Sequence, residues 1–198
     1  MVINKTLIIP LKEETKEVLE ILSNFLEYLK EDTELIVVLD SKEDPTYKLL
    51  EEANLNIHIL INELGPGASN AINYGIKHSH GRHICIAMGD GSDDPRQVED
   101  LLLLVQRGLT VAVASRYSRG GQFVGNKNLK YLLSKYSGFI LNLLFRIGTK
   151  DPTNMFKAYD KSFIEMAEIE SDVGFTLGLE MVIKAKLYKK NVGEIPTI

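Results

Sequence analysis

Ile84-Cys85-Ile86-Ala87-Met88-Gly89-Asp90-Gly91-Ser92-Asp93-Asp94-Pro95 runs from apolar residues into three carboxylates within five positions, and then to a proline. The apolar run predicts a buried strand over His83–Met88. Pro95 suits the first turn of a helix, predicted over Pro95–Arg107. The carboxylates therefore fall just beyond a strand end, where open parallel sheets bind ligands. Three such charges repel one another. A hard divalent ion, Mg2+ or Mn2+, held by one or two of Asp90, Asp93 and Asp94 plus phosphate oxygens, relieves that repulsion. Helix capping explains one of these aspartates more readily than all three.

Outward from this stretch, apolar runs alternate with amphipathic ones. Strands are predicted at Thr6–Ile9, Leu35–Leu39, Asn56–Ile61 and Leu109–Ala114. Helices are predicted over Glu14–Lys30, Pro45–Ala53 and Gly67–His80. Beyond a glycine-rich loop at Ser115–Asn126 come a helical stretch over 127–147, broken at Gly138, and a turn at Asp151–Asn154. A strand at Met155–Tyr159, helices at Asp160–Ala167 and Thr176–Lys189, and a strand at Val192–Ile195 complete the chain. The β-α alternation implies an α/β fold: a mostly parallel, Rossmann-like central sheet with helices on both faces.

The 198 residues suit one domain, 1–198, and its 44% hydrophobic and 25% charged content is that of a globular protein rather than a disordered one. Cys85 is the single cysteine, which excludes an internal disulfide framework. The formal net charge of −4 conceals a division. Residues 1–100 hold nine basic and nineteen acidic side chains; residues 101–150 hold eight basic ones and no acid. That basic segment reads either as a solvated face or as a surface that meets an anionic ligand or membrane. No signal peptide or bilayer-spanning run is present. The nearest approach, residues 128–147, is apolar but interrupted by Lys130, Lys135 and Arg146. Burial against the domain is its simpler reading; the other is a membrane interface with the lysines at the head groups.

No GxGxxG follows the first strand, and no GxxxxGK[ST] occurs, so dinucleotide-type and P-loop phosphate turns are both missing. Asp40, at the end of the second strand, is placed either to accept from a base or ribose or to hold a turn with Ser41 and Asp44. Gly65-Pro66-Gly67 opens a helix after the third strand, which permits close backbone approach but is a weak signal alone. His58, His78, His80 and His83 have no zinc-like spacing.

Taken in order, LIIPLKEE, ELIVVLDSKED, NELGPGASNAINYGI, ICIAMGDGSDDP, VASRYSRGG, DPTNMFKAY, GFTLGLEMVIKA and VGEIP resemble the family-two glycosyltransferases of the GT-A fold. The branch most alike is that of dolichyl-phosphate mannose synthase and the polyprenyl-phosphate sugar transferases. The resemblance implies an enzyme, a metal-dependent hexosyltransferase, moving a sugar from a nucleotide diphosphate sugar to an acceptor. It implies a nucleotide-binding half over 1–115 and an acceptor-binding half over 116–198. Pro10, Glu14, Asp40, Asn62, Gly65, Gly67 and Asp90 match positions at the nucleotide sugar. Asp90 also matches the metal-binding element, with Asp93 or Asp94 as second ligand. Arg116, Arg119, Lys127, Lys130 and Lys135 become candidates for donor or acceptor phosphates, and Asp151, Thr153, Asn154 and Phe156 match a block near the acceptor.

Departures accompany these matches. Lys12-Glu13 replaces the usual Tyr-Asn, and Gly89-Asp90-Gly91 lacks the first aspartate of Asp-x-Asp. The chain stops at Ile198, where relatives continue into an Arg-x-x-Gly-x-Ser loop, so a truncated catalytic core is expected. The expected acceptor is a polyprenyl or dolichyl phosphate, which needs no general base; a glycan hydroxyl would need one, with Asp151 the first candidate and Glu180 a weaker one. The expected location is cytoplasmic, peripheral to the inner face of a membrane, and no nucleic-acid partner is expected. Two other readings stand beside this one: a sugar-phosphate nucleotidyltransferase, for which PLKEE supplies no triphosphate-binding loop, and a non-catalytic nucleotide-binding domain.

Overall fold

Alternation within the strands sets the layers. Leu7 and Ile9 point to one side of the sheet and Ile8 to the other, each wholly buried, and Leu35, Val37 and Leu39 alternate with Ile36 and Val38 in the same way. Both faces of these strands are apolar, so both must be covered. In the computed structural model, which describes residues 2–124, 129–171 and 174–198, helices cover them.

The strands are β1 (Lys5–Pro10), β2 (Thr33–Leu39), β3 (His58–Ile61), β4 (His83–Ile86), β5 (Val111–Ser115), β6 (Lys157–Asp160) and β7 (Val192–Pro196). They form one sheet in the order β3-β2-β1-β4-β6-β5-β7. All pairings are parallel except those of β6, which lies antiparallel between β4 and β5. The order reverses between β1 and β4, which opens a crevice beyond their carboxyl ends.

One face is packed by α1 (Glu17–Tyr28), α2 (Pro45–Ala53) and α4 (Val98–Gln106) through Val18, Leu22, Phe25, Leu50, Leu101 and Leu102. The other is packed by α3 (Ala68–His78), α6 (Lys161–Ala167) and α7 (Gly174–Leu187) through Ile72, Ile76, Phe163, Leu177 and Met181. All seven predicted strands are found, and the two-faced α/β architecture holds. The helix predicted from Pro95 begins as a single 3-10 turn, Pro95–Gln97, capped by the Asp94 side chain, before α4 proper.

The helix expected to break at Gly138 runs unbroken as α5 (Leu129–Phe145). Gly138 serves closeness instead. A Cβ there would lie 2.2 Å from the Lys150 carbonyl oxygen and 2.8 Å from Pro152 Cδ, so α5 rests directly on the chain entering the Asp151–Asn154 turn. The expectation that α5 would be buried is corrected. Leu132, Tyr136, Phe139, Ile140 and Leu143 fall at helical spacing on its outer side and are exposed, Leu143 by 67%. Leu141 packs against the core and Ile147, just past the helix, is buried. No described helix is long and apolar enough to cross a membrane.

Candidate functional site at the carboxyl ends of the strands

The loop after β1 is held by the start of α2. Asp44 accepts from the Thr46 N–H at 2.8 Å, capping the helix, and with its other oxygen from the Glu13 N–H at 2.9 Å. Thr46 Oγ1 accepts from the Glu14 N–H at 2.7 Å. Pro10 ends β1 in register with Val38. Glu14 is thereby set facing the crevice with its carboxyl raised above the ordinary range, first by burial and then by the charges of Asp90 and Asp44.

Asp40 and Asn62 build the next wall. Asp40 Oδ1 accepts from Asn62 Nδ2 at 3.1 Å, and both Asp40 oxygens accept from the Gly67 N–H, at 3.2 and 3.0 Å. Asn62 Nδ2 also donates to the Gly65 carbonyl at 2.6 Å, and Asn62 Oδ1 accepts from the Leu64 N–H. Gly65 and Gly67 have φ of +100° and +119°, conformations that side chains rarely adopt. The residues singled out in two separate motifs thus form one hydrogen-bonded unit. A carboxylate has about four acceptor sites, so Asp40 retains capacity for a ligand donor.

The three carboxylates after β4 are not brought together. Asp90 is exposed, with Oδ1 accepting from the Ser92 N–H at 3.0 Å. Asp93 turns inward and accepts from the Met88 N–H at 2.8 Å; burial pushes its carboxyl up to about 7, with Asp90 adding to the rise. Asp94 is gripped by Arg96 through Nε at 2.9 Å and Nη2 at 2.8 Å, and caps the 3-10 turn. Among the described residues no three His, Cys, Asp or Glu side chains are grouped to hold a metal ion. Asp93 and Asp94, expected to offer a second ligand beside Asp90, are thus engaged by the Met88 N–H and by Arg96, while Asp90 stands exposed near Glu14.

On the far side, Asp151 is wholly buried, and Arg116 binds it three times: backbone N at 3.0 Å, Nε at 2.7 Å and Nη2 at 2.8 Å. With no exposed surface and both oxygens taken by Arg116, Asp151 offers an acceptor nothing to contact, so the expected general base stands in the structure as an anchor. The Arg116 guanidinium also lies over the Tyr117 and Phe123 rings, at 5.4 and 5.8 Å. Asn154 Nδ2 donates to the Ala114 carbonyl at 2.8 Å, closing the turn that carries Thr153. Glu180 is structural: it accepts from the Glu170 and Ser171 N–H groups and pairs with Lys184 at 2.7 Å.

Arg119 is exposed on the loop after β5, and Lys135 is exposed on α5. Lys130 lies in the first turn of α5. Lys127 lies outside the described residues. Sequence reasoning missed Lys157, whose signal was a lone charge inside the apolar run Met155–Tyr159. It also missed the pairing of Arg116 with Asp151, which no spacing announces. A cleft of about 560 Å³ at the opposite end of the sheet, lined by Asn4, Arg82, His83, Asp160 and Lys190 among others, contains none of the predicted site residues.

The sequence model of the family described as glycosyl transferase family 2 matches residues 6–166. A dolichol-phosphate mannosyltransferase of Pyrococcus furiosus is 27% identical over 189 residues, 93% of this chain and 52% of its own length. A polyprenol monophosphomannose synthase of Mycolicibacterium smegmatis is 25% identical over 171 residues, 82% of this chain and 64% of its own. The chain thus spans between half and two thirds of the length of these relatives. Glucosyl-3-phosphoglycerate synthase of Mycobacterium tuberculosis, solved with Mn2+, UDP and glucosyl-3-phosphoglycerate, superposes with a TM-score of 0.75 over 98% of this chain and 70% of its own, at 13% identity. That likeness establishes the shared fold.

Proposed function

We propose that this chain, which belongs to glycosyl transferase family 2, transfers a hexose from a nucleotide diphosphate sugar to a polyprenyl-type lipid phosphate at a membrane surface. The observation that carries this reading is the seating of α5. Its inner side rests on the Asp151–Asn154 turn, while its outer side is apolar and exposed. The segment 101–150 around it has eight basic side chains and no acid, which suits an anionic lipid surface. The names of the Pyrococcus and Mycolicibacterium relatives, a dolichol-phosphate mannosyltransferase and a polyprenol monophosphomannose synthase, support the same acceptor class.

In this reading the Asp40–Asn62–Gly67 unit receives the nucleoside, with Pro10, Glu14 and Gly65 lining the same wall. Asp90 is the residue that would hold a divalent ion, Mg2+ or Mn2+. The fit rests on the exposed Asp90 carboxylate standing near Glu14, whose carboxyl its charge helps to raise, and one or two carboxylates plus phosphate oxygens are a usual set for such an ion. The Mn2+ in the mycobacterial synthase structure agrees with this. Bound there, the ion would offset charge on the departing diphosphate.

The protein's own contribution is orientation. Arg116, fixed by Asp151, keeps further N–H donors for a phosphate oxygen, with Arg119 on the loop after β5, Lys135 on α5, and Thr153 and Asn154 on the turn; Lys127 and Lys130 remain candidates from the sequence. A lipid phosphate arrives already anionic and attacks the anomeric carbon without loss of a proton, which matches a site whose buried carboxylate is committed to an arginine. The test is transfer of labelled sugar from a panel of nucleotide diphosphate sugars to polyprenyl phosphate in anionic vesicles. Transfer that requires a divalent ion is expected; transfer to soluble glycans instead would overturn the acceptor assignment.

A further inference from the structure

Lys157 opens β6, in register with Ile86 on β4 and Val113 on β5. Its side chain is wholly buried, and Nζ donates to the Pro152 carbonyl at 3.0 Å. On the other side stands Gly178 of α7, where a Cβ would lie 2.9 Å from Lys157 Nζ and 2.9 Å from the Asn154 carbonyl oxygen. A buried ammonium costs several kcal/mol unless other groups compensate it. Here burial depresses the lysine to about 7; Asp151 and Asp93 favour its charge, and Arg116 opposes it.

We propose that Lys157 is a positioning residue for the acceptor, holding the Asp151–Asn154 turn from beneath through the Pro152 carbonyl. The turn then has three fixed points: Asp151 on Arg116, Asn154 on the Ala114 carbonyl, and Pro152 on Lys157. Pro152 also underlies Gly138 of α5, so the same lysine sets how the apolar helix meets the turn. Lys157 acts through these groups and does not touch substrate. The inference rests on the reading of this turn as the acceptor site.

Two variants of the full chain test it: Lys157→Met, which keeps length but removes the charge, and Gly178→Ala, which crowds Nζ without removing it. The acceptor KM is expected to rise about tenfold in the first and about threefold in the second, with donor KM and nucleoside diphosphate affinity held within about twofold. Loss of folded protein alone would lower the maximal rate and leave the acceptor KM unchanged, and that result overturns the proposal. Amide exchange supplies a readout independent of turnover. Protection of 151–154 is expected to fall about tenfold or more in Lys157→Met, with 88–94 unchanged. Unaltered protection of the turn overturns the role of Lys157, whereas a wild-type chain that transfers to no lipid phosphate overturns the acceptor reading and leaves the exchange result to judge the lysine.

Discussion

Arg116 and Asp151 are joined by three hydrogen bonds across 35 residues of chain, with the carboxylate wholly buried and the guanidinium 26% exposed. Removing the arginine leaves a buried charge without its partner. Arg116→Met is expected to lose about 3–5 kcal/mol of stability, read by urea unfolding. Arg116→Lys should recover only part of that, because an ammonium cannot reproduce the two-pronged grip. A lysine variant as stable as wild type would show that the fork geometry is irrelevant.

Asp90 makes the opposite case. It is exposed, and its side chain accepts from the Ser92 N–H two residues away. Asp90→Ala should change stability by no more than about 0.5 kcal/mol while lowering sugar transfer by roughly two orders of magnitude. Paired unfolding and transfer assays check this. Retained transfer would remove Asp90 from the site.

Gly138→Ala places a methyl group where the Lys150 carbonyl now lies, 2.2 Å from the ideal Cβ. Backbone cannot yield as a flexible side chain does, so a cost of about 1–3 kcal/mol is expected. On the proposed function, transfer to lipid phosphate should suffer more than binding of nucleoside diphosphate, measured calorimetrically, because α5 is displaced from the Asp151–Asn154 turn.

The outer side of α5 supports a separate measurement. Phe139→Ser with Leu143→Ser removes two exposed apolar side chains, 52% and 67% accessible, and should leave unfolding nearly unchanged. Co-sedimentation with phosphatidylglycerol vesicles is expected to fall about tenfold, given roughly 1.5–3 kcal/mol per large buried side chain and only partial insertion. Equal sedimentation of variant and wild type would argue against contact between this face and the membrane.

Asp93 predicts a pH effect. Its carboxyl, raised by burial to about 7 from an ordinary 3.8, keeps a proton in the folded chain that the unfolded chain releases. The folded state therefore binds more protons between about pH 4 and 7, and stability falls as pH rises through that window. Asp93→Asn lacks this loss. Its stability relative to wild type should improve from pH 5 to pH 8 in urea unfolding; a constant difference would contradict the assignment.

Periodicity was sufficient for the strands, because a sheet buried on both faces needs continuous apolar runs such as Leu35–Leu39 and Ile84–Ala87. Periodicity carries no sign of direction, so nothing in Met155–Tyr159 announced that β6 would run antiparallel between β4 and β5. Asp40 and Gly67 were legible as a strand end and a glycine turn and Asn62 through the family resemblance, but their joining in one hydrogen-bonded unit was not. The fates of Asp94 and Asp151 were not legible either, since each depends on an arginine, one two residues away and one remote in sequence. The apolar face of α5 was visible as composition, but which way it faced depended on Gly138 lying against the 150–152 backbone.

The wedged position of β6 governs the order in which the molecule can be assembled. β5 reaches the rest of the sheet only through β6, whose residues 157–160 emerge from the ribosome more than forty positions later. A nascent chain that has just completed β5 holds β3-β2-β1-β4 as a possible unit and β5 as an unpaired edge. Strand edges of that kind invite mispairing, and closing the gap requires contacts far apart along the chain, which slows folding. Thus the basic loop after β5 comes to lie across from the carboxylates after β4 only once the strand begun by Lys157 stands between their two strands.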